Sequence, residues 1–177
     1  AVAHGSAVVG EGSRIRLGLA ATRAVERWVA PSRALAHQLE QADPRIKCEV
    51  IPNGIQLGRF SPEPAKRGCH QVVHLTNFRP WKQSQLALQV LSRLRQGGQP
   101  WTLRVLGDGP GASAFDHDAR RRGLAPHVAR SGVVEVDRRQ LAGAGVCLIT
   151  SRRESFGLAA LEALACGVPV VAPRLAG

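Results

Sequence analysis

The sequence lacks the features on which membrane-spanning, disulfide-linked and nucleic-acid-binding proteins rely. Its longest apolar runs, around Val146 and Val168, are much shorter than the roughly 18 residues of a spanning helix, and its start lacks the basic region and apolar core of a signal peptide. The four cysteines form no C-x-x-C pair, which indicates reduced thiols rather than a zinc or disulfide framework. Aromatic residues make up 4% of the 177 residues, so few side chains can stack on nucleic-acid bases.

Acidic residues are also scarce, and the charge is unevenly distributed. The chain has 13 acidic and 24 basic residues, and only three of the basic residues are lysines. Residues 67–177 carry 15 basic and 7 acidic side chains, whereas residues 1–66 carry 9 and 6. This distribution predicts that the second part of the chain holds an anion. Arginine clusters such as 120–122 leave contact with nucleic acid or an anionic membrane surface as an alternative, although such clusters usually form a solvated surface.

From residue 71 onward, short apolar runs alternate with stretches of helical spacing. Repeated β-α units of this kind form a parallel, doubly wound sheet, and its ligands bind at the carboxyl ends of the strands. Before residue 71, we expect a helix over 14–26, a strand over 28–32 that leads into a helix with Ser32 as N-cap, and a strand over 48–51. The later elements that we expect are strands over 71–76, 101–106, 127–131, within 141–150 and from 168, and helices over 83–96 and 112–122.

The stretch 154–162 follows the apolar strand within 141–150 and places two carboxylates around a predicted helix start. Leu158, Leu161 and Leu164 fall on one face at helical spacing. We therefore expect a helix that begins at 156 or 157 and ends before Gly167.

The start of this predicted helix is suited to a diphosphate. Its unpaired first-turn amides, at Phe156, Gly157 and Leu158, carry the positive end of the helix dipole. Glu162 lies about two turns inside the helix, where a carboxylate can accept both hydroxyls of a ribose. A capped helix with a solvated Glu162 is the alternative interpretation.

The segment E-S-F-G-L-A-A-L-E-A-L-A-C-G-V-P-V-V-A, which begins at Glu154, resembles the donor-binding motif of family 4 glycosyltransferases of the GT-B fold. The resemblance implies that Glu154 lies against the donor sugar and that Glu162 holds the ribose. It also implies that the backbone over Ser155, Phe156, Gly157 and Leu158 binds sugar and phosphate.

The loop Asn77-Phe-Arg-Pro-Trp-Lys82 follows a predicted strand, so Arg79 and Lys82 are expected at the same sheet edge as Glu154. Two cations there can neutralise a diphosphate leaving group, although two surface cations in a loop are the simpler alternative. The pattern N-F-R-x-x-K resembles the glucosaminyl-malate synthases of bacillithiol synthesis. Asn77 stands where family 4 enzymes commonly have an arginine.

The glycines of Gly107-Asp-Gly-Pro-Gly111 do not form an NAD site, because the acidic residue required about 20 positions further on is absent. Family 4 enzymes commonly have G-D-G-P here, so the resemblance implies a tight turn beside the nucleotide that includes Gly107. Val133 lies in a segment that resembles the family's base-reading backbone. Asp116 and Asp118 have the D-x-D form, but positions two apart on a helix point about 200° from each other, so we expect no metal site.

Three further segments resemble the first domain of family 4 enzymes and its boundary. P-S-x-x-L from Pro31 and I-P-N-G-I from Ile51 are similar to signatures that close that domain, and His4-Gly5 is similar to a His-Gly pair beside the transferred sugar. The segment 61–68 is rich in proline and charge, which indicates a linker. The resemblance therefore implies that 1–60 ends an acceptor-side domain and that 61–177 is a donor domain truncated at its C-terminus. We expect such a fragment to bind nucleotide but not to catalyse transfer alone.

The expected fold class is α/β of GT-B type, with a doubly wound, parallel, Rossmann-like sheet. By resemblance, the expected function is retaining transfer of a hexosyl group from a nucleotide sugar, with a UDP-sugar favoured, to a small molecule, lipid or glycan. Glu154, Lys82, Arg79 and His4 are the candidate catalytic residues, and no cofactor, metal or nucleic-acid partner is expected. The expected location is the cytoplasm, with peripheral contact at the inner face of the membrane as a variant. A non-catalytic nucleotide-binding module and a basic nucleic-acid-binding protein are the alternative functions.

Overall fold

The computed structural model describes residues 27–62 and 70–175, so the predicted helix over 14–26 and His4 lie outside the described residues. The chain forms two compact units. Of the described residues, the first contains 27–54, 153–157 and 175, and the second contains 55–62, 70–152 and 158–174. No helix in the described ranges is both long enough and apolar enough to cross a membrane.

The first unit contains two parallel strands and one helix among its described residues. Strands β1 (Trp28–Ala30) and β2 (Cys48–Val50) pair in parallel, and α1 (Arg33–Ala42) connects them. The Ser32 hydroxyl accepts a hydrogen bond from the Leu35 amide at 3.2 Å, which confirms the predicted N-cap. The helix ends at Ala42, and the C-cap residue Asp43 has the extended backbone that is favoured before a proline.

The second unit is built around a five-stranded, fully parallel sheet with the strand order β5-β4-β3-β6-β7. Val72, Val73, Leu103, Val105 and Cys147 are at most 1% exposed, as expected for strands with both faces covered. Its elements are β3 (Gln71–Leu75), α2 (Gln85–Gln96), β4 (Thr102–Leu106), α3 (Ala112–Arg121), β5 (Val128–Arg130), α4 (Arg138–Leu141), β6 (Val146–Leu148), α5 (Leu158–Ala165) and β7 (Val170–Val171).

Successive side chains on each strand face opposite sides of this sheet, and each side has its own core. Val72 packs into a cluster with Leu88 of α2 and Phe115 of α3. The next residue, Val73, packs into a second cluster that includes Ala163 of α5. Helices therefore cover both faces, which confirms the predicted doubly wound α/β architecture.

Residues 55–60 group with the second unit, and Ile55 and Phe60 pack into its second core. One feature differs from the sequence-based expectation. The helix α4 was not predicted, since four residues are too few to show a period. It is stabilised by a capping box. The Asp137 side chain accepts a hydrogen bond from a backbone amide of the first turn, and the Gln140 side chain accepts one from the Asp137 amide. Most of the predicted linker lies outside the described residues.

Candidate functional site

The strand order places a topological switch point between β3 and β6. The chain leaves β3 toward α2 on one face of the sheet, and it leaves β6 toward α5 on the other face. Loops that diverge in this way open a crevice at the carboxyl ends of the two strands, where open α/β sheets bind their ligands. The loop 76–84 follows β3 and the loop 149–152 follows β6.

The two loops are hydrogen-bonded to each other across this crevice. The Thr150 hydroxyl donates to the Lys82 carbonyl at 2.6 Å, and the Arg152 amide donates to the Trp81 carbonyl at 2.8 Å. Thr150 and Ser151 are buried. The backbone that carries Lys82 is therefore anchored at the switch point.

The loop after β3 has an unusual backbone. Phe78 (φ 51°) and Gln83 (φ 47°) both adopt left-handed conformations, and a 3-10 turn over Pro80–Lys82 lies between them. A left-handed conformation costs a non-glycine residue about 1–3 kcal/mol and persists only where the surroundings impose it. The Phe78 ring is buried and packs edge-on against Phe115, with the ring centroids 5.4 Å apart.

The glycine-rich loop after β4 lies directly against this backbone. A Cβ atom at Gly107 would lie 1.8 Å from the Thr76 carbonyl oxygen, and one at Gly109 would lie 1.8 Å from that of Asn77. Only glycine fits at such distances. The Gly107 amide also donates to the Gly132 carbonyl at 2.7 Å, next to Val133, which is 84% exposed. The sequence G-D-G-P-G therefore permits close packing of two loops at the sheet edge.

A buried hydrogen-bonded cluster beneath the loop was missed by the sequence reasoning. His74, Thr76 and Ser84 are each at most 7% exposed, and they bond one another and the Leu148 carbonyl on β6. A histidine inside an otherwise apolar strand was the available signal, because a buried polar side chain requires partners.

Glu162 is half-buried on α5, and burial raises the pKa of its carboxyl while the charge of Arg59 opposes the rise. Arg59 was also missed by the sequence reasoning. Its guanidinium donates to the Val136 carbonyl at 2.9 Å and forms an ion pair with Glu135 at 2.9 Å. Arg59 thus holds the end of the segment that contains Val133 and contributes positive potential at Glu162.

Arg79 and Lys82 are not placed alike. Lys82 is half-buried at the switch point, whereas Arg79 is exposed, with its guanidinium 6.0 Å from the Trp81 ring centroid. The Arg79 amide donates to the exposed Asn77 side chain at 3.3 Å. Arg79 also lines an open pocket of about 430 Å³ at the starts of α2 and α3. The other lining residues are Phe78, Pro80, Ser84, Gln85, Pro110 and Gly111.

The segment Arg153–Gly157 groups with the first unit, and its residues Glu154, Ser155 and Phe156 are half-buried. Gly157 has φ 89°, so the helix α5 begins at Leu158, one or two residues later than predicted. Its first-turn amides consequently start at Leu158, which is 40% exposed.

The two aspartates of the D-x-D pattern bond different arginines. Asp116 accepts from Arg130 at 3.0 Å, and Asp118 accepts from Arg121 at 2.6 Å and Arg122 at 2.8 Å. These arginines hold the pKa of the Asp118 carboxyl below its usual value. Within the described ranges, no group of three histidine, cysteine or acidic residues could hold a metal ion.

A doubly wound sheet with paired loops at its switch point is a Rossmann-like α/β unit, and comparisons with known proteins identify its family. Residues 69–177 match the family described as Glycosyl transferases group 1. The chain is 31% identical to D-inositol 3-phosphate glycosyltransferase of Segniliparus rotundus over 174 residues, covering 86% of this chain and 38% of that protein. It is 31% identical to N-acetyl-alpha-D-glucosaminyl L-malate synthase of Bacillus anthracis over 106 residues, covering 60% of this chain and 28% of that protein.

The fold is also similar to that of a solved protein, S. aureus TarM. A point mutant of TarM, solved in complex with fondaparinux, alpha-GlcNAc-glycerol and UDP, superposes with a TM-score of 0.83 at 16% identity, covering 97% of this chain and 36% of that one. The chain belongs to the glycosyl transferases group 1 family, and its predicted GT-B fold class is confirmed. It spans 38% of the length of the Segniliparus relative.

Proposed function

We propose that the protein containing this chain transfers a hexosyl group from a nucleotide sugar to an acceptor, and that residues 70–175 contain most of the donor-binding surface. The proposal rests on the hydrogen bonds between the two loops at the switch point between β3 and β6. These bonds anchor the backbone that carries Lys82. Membership of the glycosyl transferases group 1 family supports the reaction class.

Within this proposal, Lys82 binds the donor diphosphate and Glu162 binds the ribose. A lysine held at a crevice is suited to a phosphate charge, and a half-buried carboxylate can accept two hydroxyls. Val133 and the neighbouring backbone contact the base, and Gly107 keeps the turn after β4 close to the nucleotide. Asn77 lies beside this turn, in the loop that also carries Lys82, and it contacts the donor from there.

The other site residues rest on resemblance to family 4 enzymes. Glu154 contacts the donor sugar, and the backbone of Ser155–Leu158 contacts sugar and phosphate. His4, which lies outside the described residues, is a candidate by this resemblance alone. Arg79 assists the leaving diphosphate only if its exposed side chain turns from the pocket beside α2 and α3 toward the crevice.

The proposed mechanism retains the anomeric configuration and needs no protein nucleophile. The developing charge on the diphosphate is stabilised by Lys82 and by backbone amides at the start of α5. We propose a UDP-sugar as donor, because UDP is bound in the TarM complex, and a small molecule, lipid or glycan as acceptor. No metal is assigned to the proposed step.

The second candidate is a non-catalytic nucleotide-binding module, because a crevice at the switch point of an α/β sheet can bind a nucleotide without catalysing a reaction. A basic nucleic-acid-binding protein is less well supported, since Arg121 and Arg122 bond Asp118 and Arg139 bonds Asp137.

The test is to incubate the full-length protein with UDP-, GDP- and ADP-hexoses and to measure nucleoside diphosphate release with and without candidate acceptors. Acceptor-dependent release from one donor, abolished by Glu154→Gln, supports transfer. Saturable nucleotide binding without release supports the binding module. Displacement of the nucleotide by an oligonucleotide supports the nucleic-acid alternative.

A further inference from the structure

A buried chain of hydrogen bonds connects the loop after β3 to strand β6. The Phe78 amide donates to the Thr76 hydroxyl at 3.0 Å, and the Thr76 and Ser84 hydroxyls lie 2.7 Å apart. The Ser84 hydroxyl lies 3.2 Å from His74 Nε2, and His74 Nδ1 lies 2.8 Å from the Leu148 carbonyl oxygen. We call Thr76, Ser84 and His74 the buried relay.

The donors and acceptors at the two ends fix the direction of the whole relay. The Leu148 carbonyl can only accept, so His74 Nδ1 carries a hydrogen and Nε2 of the neutral ring is an acceptor. Ser84 therefore donates to His74, and Thr76 donates to Ser84. The Phe78 amide supplies the hydrogen bond that the Thr76 oxygen accepts, so every polar group of the relay is satisfied.

The relay acts on the residue with the strained backbone. Its last hydrogen bond holds the amide of Phe78, whose left-handed conformation turns the chain into Pro80–Lys82. The Ser84 hydroxyl is not used to cap α2, although Ser84 occupies the N-cap position, so its side chain is available to the relay. Burial lowers the pKa of His74, which keeps the ring in the neutral form that the relay requires.

We propose that the buried relay is a positioning device for the loop 77–82, which makes His74, Thr76 and Ser84 positioning residues for the diphosphate bound by Lys82. This inference rests on the proposed function for its ligand and on the hydrogen bonds for its geometry. Lys82 is held at its carbonyl by Thr150 and at the loop entrance by the relay through Phe78. Loss of the relay releases the entrance while the bond to Thr150 remains.

The test compares four variants of the protein. Thr76→Val keeps the side-chain shape and leaves the buried Phe78 amide without an acceptor, whereas Thr76→Ser keeps the hydroxyl. Ser84→Ala removes the hydroxyl that links Thr76 to His74. It tests the relay at a second position, in case Thr76→Val does not fold. Thr102→Val is the matched control, because the Thr102 hydroxyl contacts the His70 carbonyl at 3.5 Å, at the opposite end of the sheet.

Two measurements are made on each variant: hydrogen exchange of the Phe78 amide and NMR titration with UDP and with uridine. In Thr76→Val, we expect exchange at Phe78 to accelerate about tenfold or more, the change for a buried hydrogen bond lost. In Ser84→Ala, the Thr76 hydroxyl can still accept from the Phe78 amide but loses the group to which it donates, so exchange should accelerate by a smaller factor. UDP affinity should fall by a similar factor while uridine affinity stays unchanged. Thr76→Ser and Thr102→Val should behave as the wild type.

Unchanged exchange at Phe78 in the two relay variants would overturn the inference, and so would equal losses of UDP and uridine affinity. A wild-type protein that binds no UDP would instead contradict the proposed function, and the exchange measurement would still decide whether the relay holds the loop.

Discussion

Replacing Gly107 with alanine tests whether the two loops at the sheet edge are as closely packed as the structure shows. Gly107 has φ 125°, and a Cβ there would lie 1.8 Å from the Thr76 carbonyl oxygen and 2.9 Å from its carbonyl carbon. Backbone atoms cannot rotate away as a flexible side chain does, so β3 and the loop after it must shift. Gly123 (φ 69°) is the matched control, because a Cβ added there would have no atom within 4 Å.

Both substitutions carry a conformational cost, and only Gly107→Ala adds a steric one. Each forces alanine into a positive-φ conformation at about 1–3 kcal/mol. Gly107→Ala adds an overpacking cost of about 1–3 kcal/mol, so its total loss in free energy of unfolding should be roughly 2–6 kcal/mol.

Urea denaturation followed by circular dichroism, with linear extrapolation to water, measures both losses. The displaced Thr76 should also lower UDP affinity in Gly107→Ala but not in Gly123→Ala. Equal destabilisation by the two substitutions would refute the close contact between the loops.

Three further outcomes follow from the second unit. Glu162→Gln should weaken nucleotide binding by about 1–3 kcal/mol with little change in the free energy of unfolding. If calorimetry finds the same nucleotide affinity in Glu162→Gln and the wild type, Glu162 does not bind the ribose. Burial lowers the pKa of His74, with help from the charge of Lys82 and against a backbone hydrogen bond. The contribution of His74 to the free energy of unfolding should therefore be complete above about pH 6.5 and be lost as the pH falls toward the folded-state pKa. His74→Asn should remove this pH dependence of the free energy of unfolding. Burial, with the charge of Glu162, raises the pKa of the Cys147 thiol to about 12, so peptide mapping should find Cys147 unalkylated at about pH 8 in the native protein and alkylated after unfolding.

The periodic elements and the sheet edge were predictable because local sequence carries their signals. The apolar run over Gln71–Leu75, the Ser32 cap and the glycines of the loop at Gly107 each reflect a requirement of nearby backbone or of burial. From these, the alternation of strands and helices gives the topology, and the topology places Lys82 at the switch point.

The missed features depend on partners far apart in the sequence. His74 bonds Leu148, and Arg59 bonds Val136 across 77 residues. No local pattern encodes such pairs, since they exist only once the strands are in register. The contact of Phe60 with the second core is of the same kind, because its partners lie far along the chain. The sequence predicted Arg79 and Lys82 at one sheet edge, but it could not predict that Arg79 is exposed and Lys82 half-buried, because their exposure depends on the turn between them.

The most direct test of the proposed donor site is a calorimetric titration of the wild-type protein, Lys82→Ala and Lys47→Ala with UDP. Lys47 is exposed in the first unit and controls for the loss of one positive charge. We predict that Lys82→Ala weakens UDP binding by about 1.5–3 kcal/mol, the range for a hydrogen bond to a charged group, while Lys47→Ala binds as the wild type does. Wild-type affinity for UDP in Lys82→Ala would contradict the placement of the diphosphate at the crevice between β3 and β6.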